Sequence, residues 1–253
     1  MDRPVLWQFT YSHFNEKARW ALDWKRVPHV RRTLGPGYLL RVWWATGRGT
    51  LPVLWLDGEA IGDSTRIIEA LERRWPDPPL YPRDETARRR ALELEDFFDE
   101  ELGHPLRAAI VGPLLASDPE ATVAVLTLGM PARVRRTARA IFPAFRAFYR
   151  FRHGINTATV EAGRAKMIAA LDRIAAELQP SGYLAGDAFS VADLTAAALF
   201  APLVMPPGLQ YRIPDPLPSV LVGYRSALGG HPAYRWVIDV YRRHRGVSAE
   251  VAA

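Results

Sequence analysis

Residues 50–64, TLPVLWLDGEAIGDS, place a Leu-Pro step, two short apolar strands and a helix start in one line. Val53–Leu56 reads as a strand, because β-branched and large apolar side chains suit a pleated, half-buried surface. Asp57-Gly58 then reads as a tight hairpin turn, since glycine accepts the positive φ such turns need. Ala60 and Ile61 return as the partner strand. After Gly62, Asp63-Ser64 stands where a helix begins, and TRIIEALERRW carries Ile67, Ile68, Leu71 and Trp75 on one stripe. A proline before a strand, a hairpin, and free helical N–H groups together make a place for an extended, negatively charged small molecule.

Working outward, the first eighty residues alternate strand and helix signals. Residues 4–10 form a short apolar strand. The helix at 13–26 buries Phe14, Ala18, Ala21, Leu22 and Trp24 or Lys25. A second strand at 28–34 is stopped by GPG at 35–37, and residues 38–46 form a helix expected to pack Trp43-Trp44 inward. The order β-α-β-α-β-β-α puts a ligand at strand ends and helix starts. PDPPLYPRD at 76–84 is stiff and turn-rich, because its prolines exclude a helix interior and a central strand. Beyond it helices are expected at 85–112, 119–128, 131–153, 156–179 and 190–205, with a last one after His231-Pro232. The 190–205 helix is almost uncharged and so belongs in the core of the second unit. The domains expected are 1–80, a linker at 81–88, an all-helical unit at 89–245, and a flexible tail at 246–253.

Composition narrows the chemistry. Zero cysteines exclude disulfides, thiolate nucleophiles and cysteine metal sites. The six histidines are scattered without HExxH spacing, so no metal site is expected. No run of about eighteen apolar residues marks a membrane span, and the start lacks a signal peptide's basic and apolar regions, leaving the cytoplasm as the expected location. The net charge of +6 permits an anionic partner. Much of it lies in 131–153, PARVRRTARAIFPAFRAFYRFRH, which has seven arginines, no acid and five interleaved aromatics. This segment reads first as an amphipathic helix, kinked near Pro143, with aromatics in the core and guanidiniums in water. Arginines lining a cleft remain an alternative. Contact with nucleic acid or a membrane surface is not expected, as no nucleic-acid motif accompanies the charge.

Three short motifs carry candidate chemistry. A cis Leu51–Pro52 bond would let the Leu51 backbone pair with a peptide-like ligand as an added strand; a plain trans proline entering a strand is the simpler alternative. The Ser64 hydroxyl with the helix N–H groups can grip a carboxylate while Asp63 pairs with an ammonium, although either residue also serves as an ordinary N-cap. In YSHFNEKARWAL at 11–22, Ser12 sits at the strand end and helix start, where its hydroxyl can donate to a bound thiolate or serve only as a helix cap. Tyr11 and Asn15 are alternative donors. No base triad supports hydrolysis by Ser12.

Together these motifs resemble the glutathione transferase superfamily. YSHFNEKARWAL is similar to its S-P-F/Y-x-x-K/R-V/A-R segment, with His13 in place of the proline and Glu16-Lys17 altering the basic pair. RGTLPVLWLDGEAIGDSTRIIEAL resembles its Leu-Pro, Asp-Gly and acidic-Ser block, and GYLAGDAFSVADLTAAALFAPL its capping box, with Ser190 and Asp193 in place. The resemblance implies an α/β thioredoxin-like N-terminal domain followed by an all-α C-terminal domain. It implies glutathione as co-substrate, no tightly bound cofactor and a cytoplasmic homodimer. Leu51 and Pro52 would clamp the cysteinyl part, Asp63 and Ser64 the γ-glutamyl part, and Arg48 or Thr50 would approach the glycyl carboxylate. Ser12 matches the catalytic position of serine-type members. A small hydrophobic or aromatic electrophile, anionic ones included, would lie between the domains near Tyr11 and Trp43, with Arg107, Arg146 or Arg150 holding an acidic group. Transferase, glutathione-dependent isomerase and non-catalytic scaffold all fit this resemblance.

Overall fold

The structure is a computed structural model that describes residues 3–35, 37–127 and 130–252. Pro36 of the GPG stop, residue 128 of the 119–128 helix and residue 253 of the tail lie outside the described residues. The first domain is a four-stranded mixed sheet of order β2-β1-β3-β4. Strand β1 (Val5–Gln8) runs parallel to β2 (Val30–Thr33) and antiparallel to β3 (Val53–Leu56). Strand β3 turns through Asp57-Gly58 into β4 (Glu59–Gly62), as the hairpin signal requires. The registers Leu6↔Leu54 and Trp7↔Val53 sort side chains by the period-two rule. Leu6, Leu54 and Leu56 face α1 (His13–Trp24) and α3 (Ser64–Arg74), while Trp7 and Val53 face α2 (Tyr38–Thr46).

Helix α2 does not turn its tryptophans inward. Val42 alone of its residues is fully buried, flanked on the sheet by Tyr38 and Ala45 at helical spacing, which rotates Trp43 and Trp44 to 53% and 78% exposure. The second domain is helical: α4 (Glu85–Phe98), α5 (His104–Ser117), α6 (Pro119–Leu126), α7 (Ala132–Arg152), α8 (Thr157–Glu177), α9 (Val191–Val204), α10 (Ser219–Leu228) and α11 (Pro232–His244). Helix α4 starts at Glu85, inside the segment 81–88 expected as linker, because Asp84 caps it by accepting from the Ala87 N–H at 2.8 Å. Helices α4 and α5 join through a π-helical turn at Asp99–Gly103. Helix α9 is the buried centre, and Asp193 accepts from the N–H groups of Ser190 (2.9 Å) and Leu184 (2.8 Å), as the capping-box reading expected. Helix α7 spans Pro143 and fully buries Phe142, with Phe145 and Tyr149 packed partly buried against the same cluster, while Phe148 and Phe151 face out. Its aromatic face therefore enters the core less than the amphipathic reading expected.

Charged side chains join the domains. Arg245 donates to Glu16 (2.7 Å) and Asp23 (2.8 Å), all three buried. Beyond it the chain is tied down: the His29 N–H donates to Ala249 O, the Val251 N–H to His29 O, and the Ala249 N–H to Asp23. Residues 246–252, expected as a flexible tail, thus lie against the edge of β2 because these donors and acceptors are matched there. Among the described residues, no helix is long and apolar enough to cross a membrane.

Candidate functional site

The hairpin block and the α4–α5 rod converge on a cavity of about 470 Å³ between the domains. The loop before β3 contributes Arg48, Thr50, Leu51 and Pro52, and the Leu51–Pro52 bond is cis. The start of α3 contributes Asp63, Ser64 and Thr65. Asp63 holds φ at 80°, a left-handed value unusual for a residue with a Cβ, and Oδ1 accepts from the N–H groups of Thr65 (2.9 Å) and Arg66 (3.4 Å). Its second carboxylate oxygen bonds to no described residue.

Opposite stand Asp96, Asp99, Glu100, His104 and Arg107, spaced along one side of the rod. The π turn shifts the hydrogen-bond register here, and such turns recur where a helix re-aims side chains. Gly103 is required in that turn, since a Cβ there would collide with the Phe14 ring. The carbonyl of Gly103 accepts from His13 Nε2 at 2.9 Å. Burial, reinforced by Arg107, holds His13 down at about 3, so the ring is neutral and donates from Nε2. Beneath the cavity the fully buried Lys17 ammonium bridges Asp99 (2.6 Å), Glu95 (2.7 Å) and Thr65 (2.9 Å). Burial opposes that charge, but the two carboxylates outweigh it and hold Lys17 above its usual value. The cavity thus has an acidic side at Asp63, Asp96, Asp99 and Glu100, and basic groups at Arg48 and Arg107.

Seven sequence-predicted residues meet here: Arg48, Thr50, Leu51, Pro52, Asp63, Ser64 and Arg107. The others do not line the cavity. Ser12 sits at the N-cap of α1 in extended conformation, half-buried, and its hydroxyl bonds to no described residue. Tyr11 donates its hydroxyl proton to Arg212 O at 2.6 Å, and burial pushes its phenol up to about 12. Asn15 is fully buried on α1, and neither amide atom finds a partner among the described residues. Trp43 lies exposed on α2; Arg146 and Arg150 are exposed on α7, with Arg150 donating to Ile155 O. Sequence reasoning missed Phe14, Thr65, Asp96, Asp99, Glu100 and His104. The signal for four of them was present, since residues 96, 99, 100, 104 and 107 form one polar stripe at helical spacing.

Comparison with known proteins identifies the two domains. Residues 6–79 match the model for the glutathione S-transferase N-terminal domain, and residues 157–221 the model for its C-terminal domain. Among curated proteins, a probable maleylacetoacetate isomerase of Caenorhabditis elegans is 32% identical over 98 residues, 37% of this chain and 46% of that protein. The matched stretch therefore spans about half the length of that relative. Among solved structures, the beta-etherase from Sphingobium sp. strain SYK-6 superposes with a TM-score of 0.60 at 20% identity, covering 94% of this chain and 99% of that one. A glutathione S-transferase from Methylobacterium radiotolerans, solved with glutathione sulfonate, gives 0.62 at 22% identity, with coverage of 100% and 97%. Another from Methylobacillus flagellatus, solved with glutathione bound, gives 0.56 at 20%, with coverage of 92% and 98%.

Proposed function

Because the chain belongs to the glutathione S-transferase superfamily, whose two domain models span more than half of it, we propose that it binds glutathione and activates its thiol. The target is a small hydrophobic or aromatic electrophile, anionic ones included. The observation that carries this reading is the convergence of the cis-proline loop, the Asp63-Ser64 helix start and two arginines on one cavity. Each part of the tripeptide has a chemically matched neighbour. The Ser64 hydroxyl and the N–H groups of α3 suit the γ-glutamyl carboxylate, and the free oxygen of Asp63 suits its ammonium. The Leu51 backbone suits the cysteinyl unit, and Arg48 and Thr50 the glycyl carboxylate.

We assign the thiolate donor to Ser12, which is outside the cavity lining but whose hydroxyl is uncommitted at the N-cap of α1, two residues before Phe14 of that lining. Tyr11 would first have to release Arg212 O, and Asn15 would have to reach out of the α1 interface. The thiol proton passes to water, sulfur attacks carbon, and in a substitution the leaving group departs with its bonding electrons. Catalysis is then thiolate stabilisation and orientation. Arg107 carries the second-substrate side, since Trp43, Arg146 and Arg150 stand outside the cavity. The partial match to an isomerase supports a second reading, in which the thiolate adds to a conjugated carbon, a bond rotates and the thiolate leaves again. The enzyme acts as a cytoplasmic homodimer that removes reactive electrophiles.

Calorimetric titration tests the reading. Glutathione binds the wild-type protein, and Ser64→Ala weakens it by roughly tenfold, the worth of one charge-assisted hydrogen bond. No measurable binding to the wild type overturns both the site and the enzyme. Binding without turnover of any electrophile, or isomerisation, leaves a scaffold.

A further inference from the structure

At the C-terminal end of α7, five polar side chains from α2, α5, α7 and the residue after it lie near one another without an acid among them. Arg107 lies on α5, Tyr149 and Arg152 on α7, His153 just beyond it, and Tyr38 on α2. Arg107 donates to His153 Nδ1 at 3.2 Å, and Tyr149 packs on the His153 ring with centroids 4.4 Å apart. Arg152 donates to Gly49 O at 3.0 Å. A Cβ on Gly49 would lie 3.1 Å from that guanidinium, so glycine allows the arginine to rest on the loop leading to Thr50 and Leu51.

Both guanidiniums act electrostatically on both phenols, so the four groups share one corner. No carboxylate lies within 4 Å of either arginine among the described residues, and neither phenol hydroxyl bonds to a described residue. Burial raises both phenols, which therefore keep their protons. Burial and the two arginines hold His153 down at about 4, leaving it neutral, an acceptor from Arg107 at Nδ1 and a donor at Nε2. Every free group in the corner donates. Two guanidiniums beside unused donors, one of them (Arg107) lining the cavity and the other resting on the Gly49 carbonyl beside it, are complementary to an anion.

We propose that this corner is an anion clamp for the second substrate, in which Arg107 and Arg152 with the Tyr38 and Tyr149 hydroxyls hold a carboxylate or phenolate of the electrophile. The proposal rests on the glutathione reading above and adds what the electrophile must carry. The glycyl carboxylate of glutathione is the competing source of the same charge, because Gly49 adjoins Thr50.

Calorimetry with three probes separates these outcomes: glutathione, S-benzylglutathione and S-(carboxybenzyl)glutathione. The two conjugates differ only by a carboxylate on the group that enters the second-substrate side. The wild-type protein is expected to bind the carboxylated conjugate roughly tenfold more tightly than the benzyl one. In Arg152→Met and Tyr149→Phe that ratio falls toward one. Arg152 is exposed and phenylalanine keeps the ring at 149, so both variants retain the packing. A wild-type ratio near one, or a ratio unchanged in both variants, overturns the clamp while leaving glutathione binding intact. Equal weakening of all three probes assigns the arginines to the glycyl carboxylate and also overturns it. If no probe binds the wild-type protein, the glutathione reading itself fails and the clamp with it.

Discussion

Asp63 holds a left-handed backbone conformation that glycine would adopt without a Cβ penalty, and it spends one carboxylate oxygen on capping α3. A strained residue with half of its carboxylate unused, on a cavity wall, is better explained by ligand than by fold. Asp63→Gly removes about 1 kcal/mol of strain and, because glycine is itself a tolerated N-cap, loses only a few tenths from the cap. Thermal melts are therefore expected to shift by no more than a few degrees, while glutathione affinity falls roughly tenfold. A large loss of melting temperature with affinity retained would make Asp63 a structural residue. Ser12 makes the complementary prediction. Ser12→Ala raises the pKa of the bound thiol by about one unit, the loss of one hydrogen bond to the charged form, read by ultraviolet titration of the thiolate. An unchanged value transfers the role to Asn15 or Tyr11. The positions of both residues, each at the start of a helix, were legible in the sequence. The state of Tyr11 was not, because its partner Arg212 is two hundred residues away in a loop without a sequence signature.

Helix α1 shows where periodicity stops being informative. Its apolar stripe at Ala18, Ala21 and Leu22 was readable, but the polar Asn15, Glu16, Lys17 and Arg19 beside it are buried as well. Lys17 is matched by the α4 rod, and Glu16 and Asp23 by Arg245 beyond α11, while Arg19 pairs with Glu16 on its own helix. Arg19 adds bonds to Gln8 Oε1 (2.7 Å) and Thr10 O (2.9 Å), holding the turn that presents Ser12. Burial alone would raise Glu16, but Arg245 and Arg19 prevail and hold it at about 2. Its folded value lies below the unfolded one, so its stabilisation is complete above about pH 4.5 and is lost as pH falls toward 2. His13 starts the decline earlier. Folded at about 3 against 6.5 unfolded, it leaves the unfolded chain as the better proton acceptor between those values, and acidification there destabilises the fold. Urea melts across pH are expected to show stability falling from pH 6.5 downward, with a shallower fall in His13→Gln. Glu16→Gln costs about 3 kcal/mol or more at neutral pH, because it leaves buried guanidiniums short of a partner. A melt unchanged from pH 7 to 4 contradicts the neutral, buried His13.

At the scale of the molecule, the two-domain order was legible because Asp57-Gly58, the Asp-Pro-Pro segment and the Ser190–Asp193 box each punctuate the chain locally. What escaped were features set by packing. A π turn displaces hydrogen bonds by one residue and leaves no mark in composition, yet it lies in the rod that brings Asp99, Glu100, His104 and Arg107 to the cavity. Helix α2 is apolar almost all round, so nothing in its nine residues marked Trp43 and Trp44 as the outer face. The docked segment 246–252 is short and made mostly of small and apolar residues, and its hold depends on Asp23 and His29 far upstream. The central claim is that glutathione fills the cavity on which Leu51, Asp63, Ser64 and Arg107 converge. A crystal structure of the glutathione-soaked protein tests this most directly. The account predicts the γ-glutamyl group on Asp63 and Ser64, the cysteinyl backbone on Leu51, and the sulfur within about 3.5 Å of the Ser12 hydroxyl. Glutathione bound elsewhere, or reversed so that its sulfur points away from the start of α1, would contradict it.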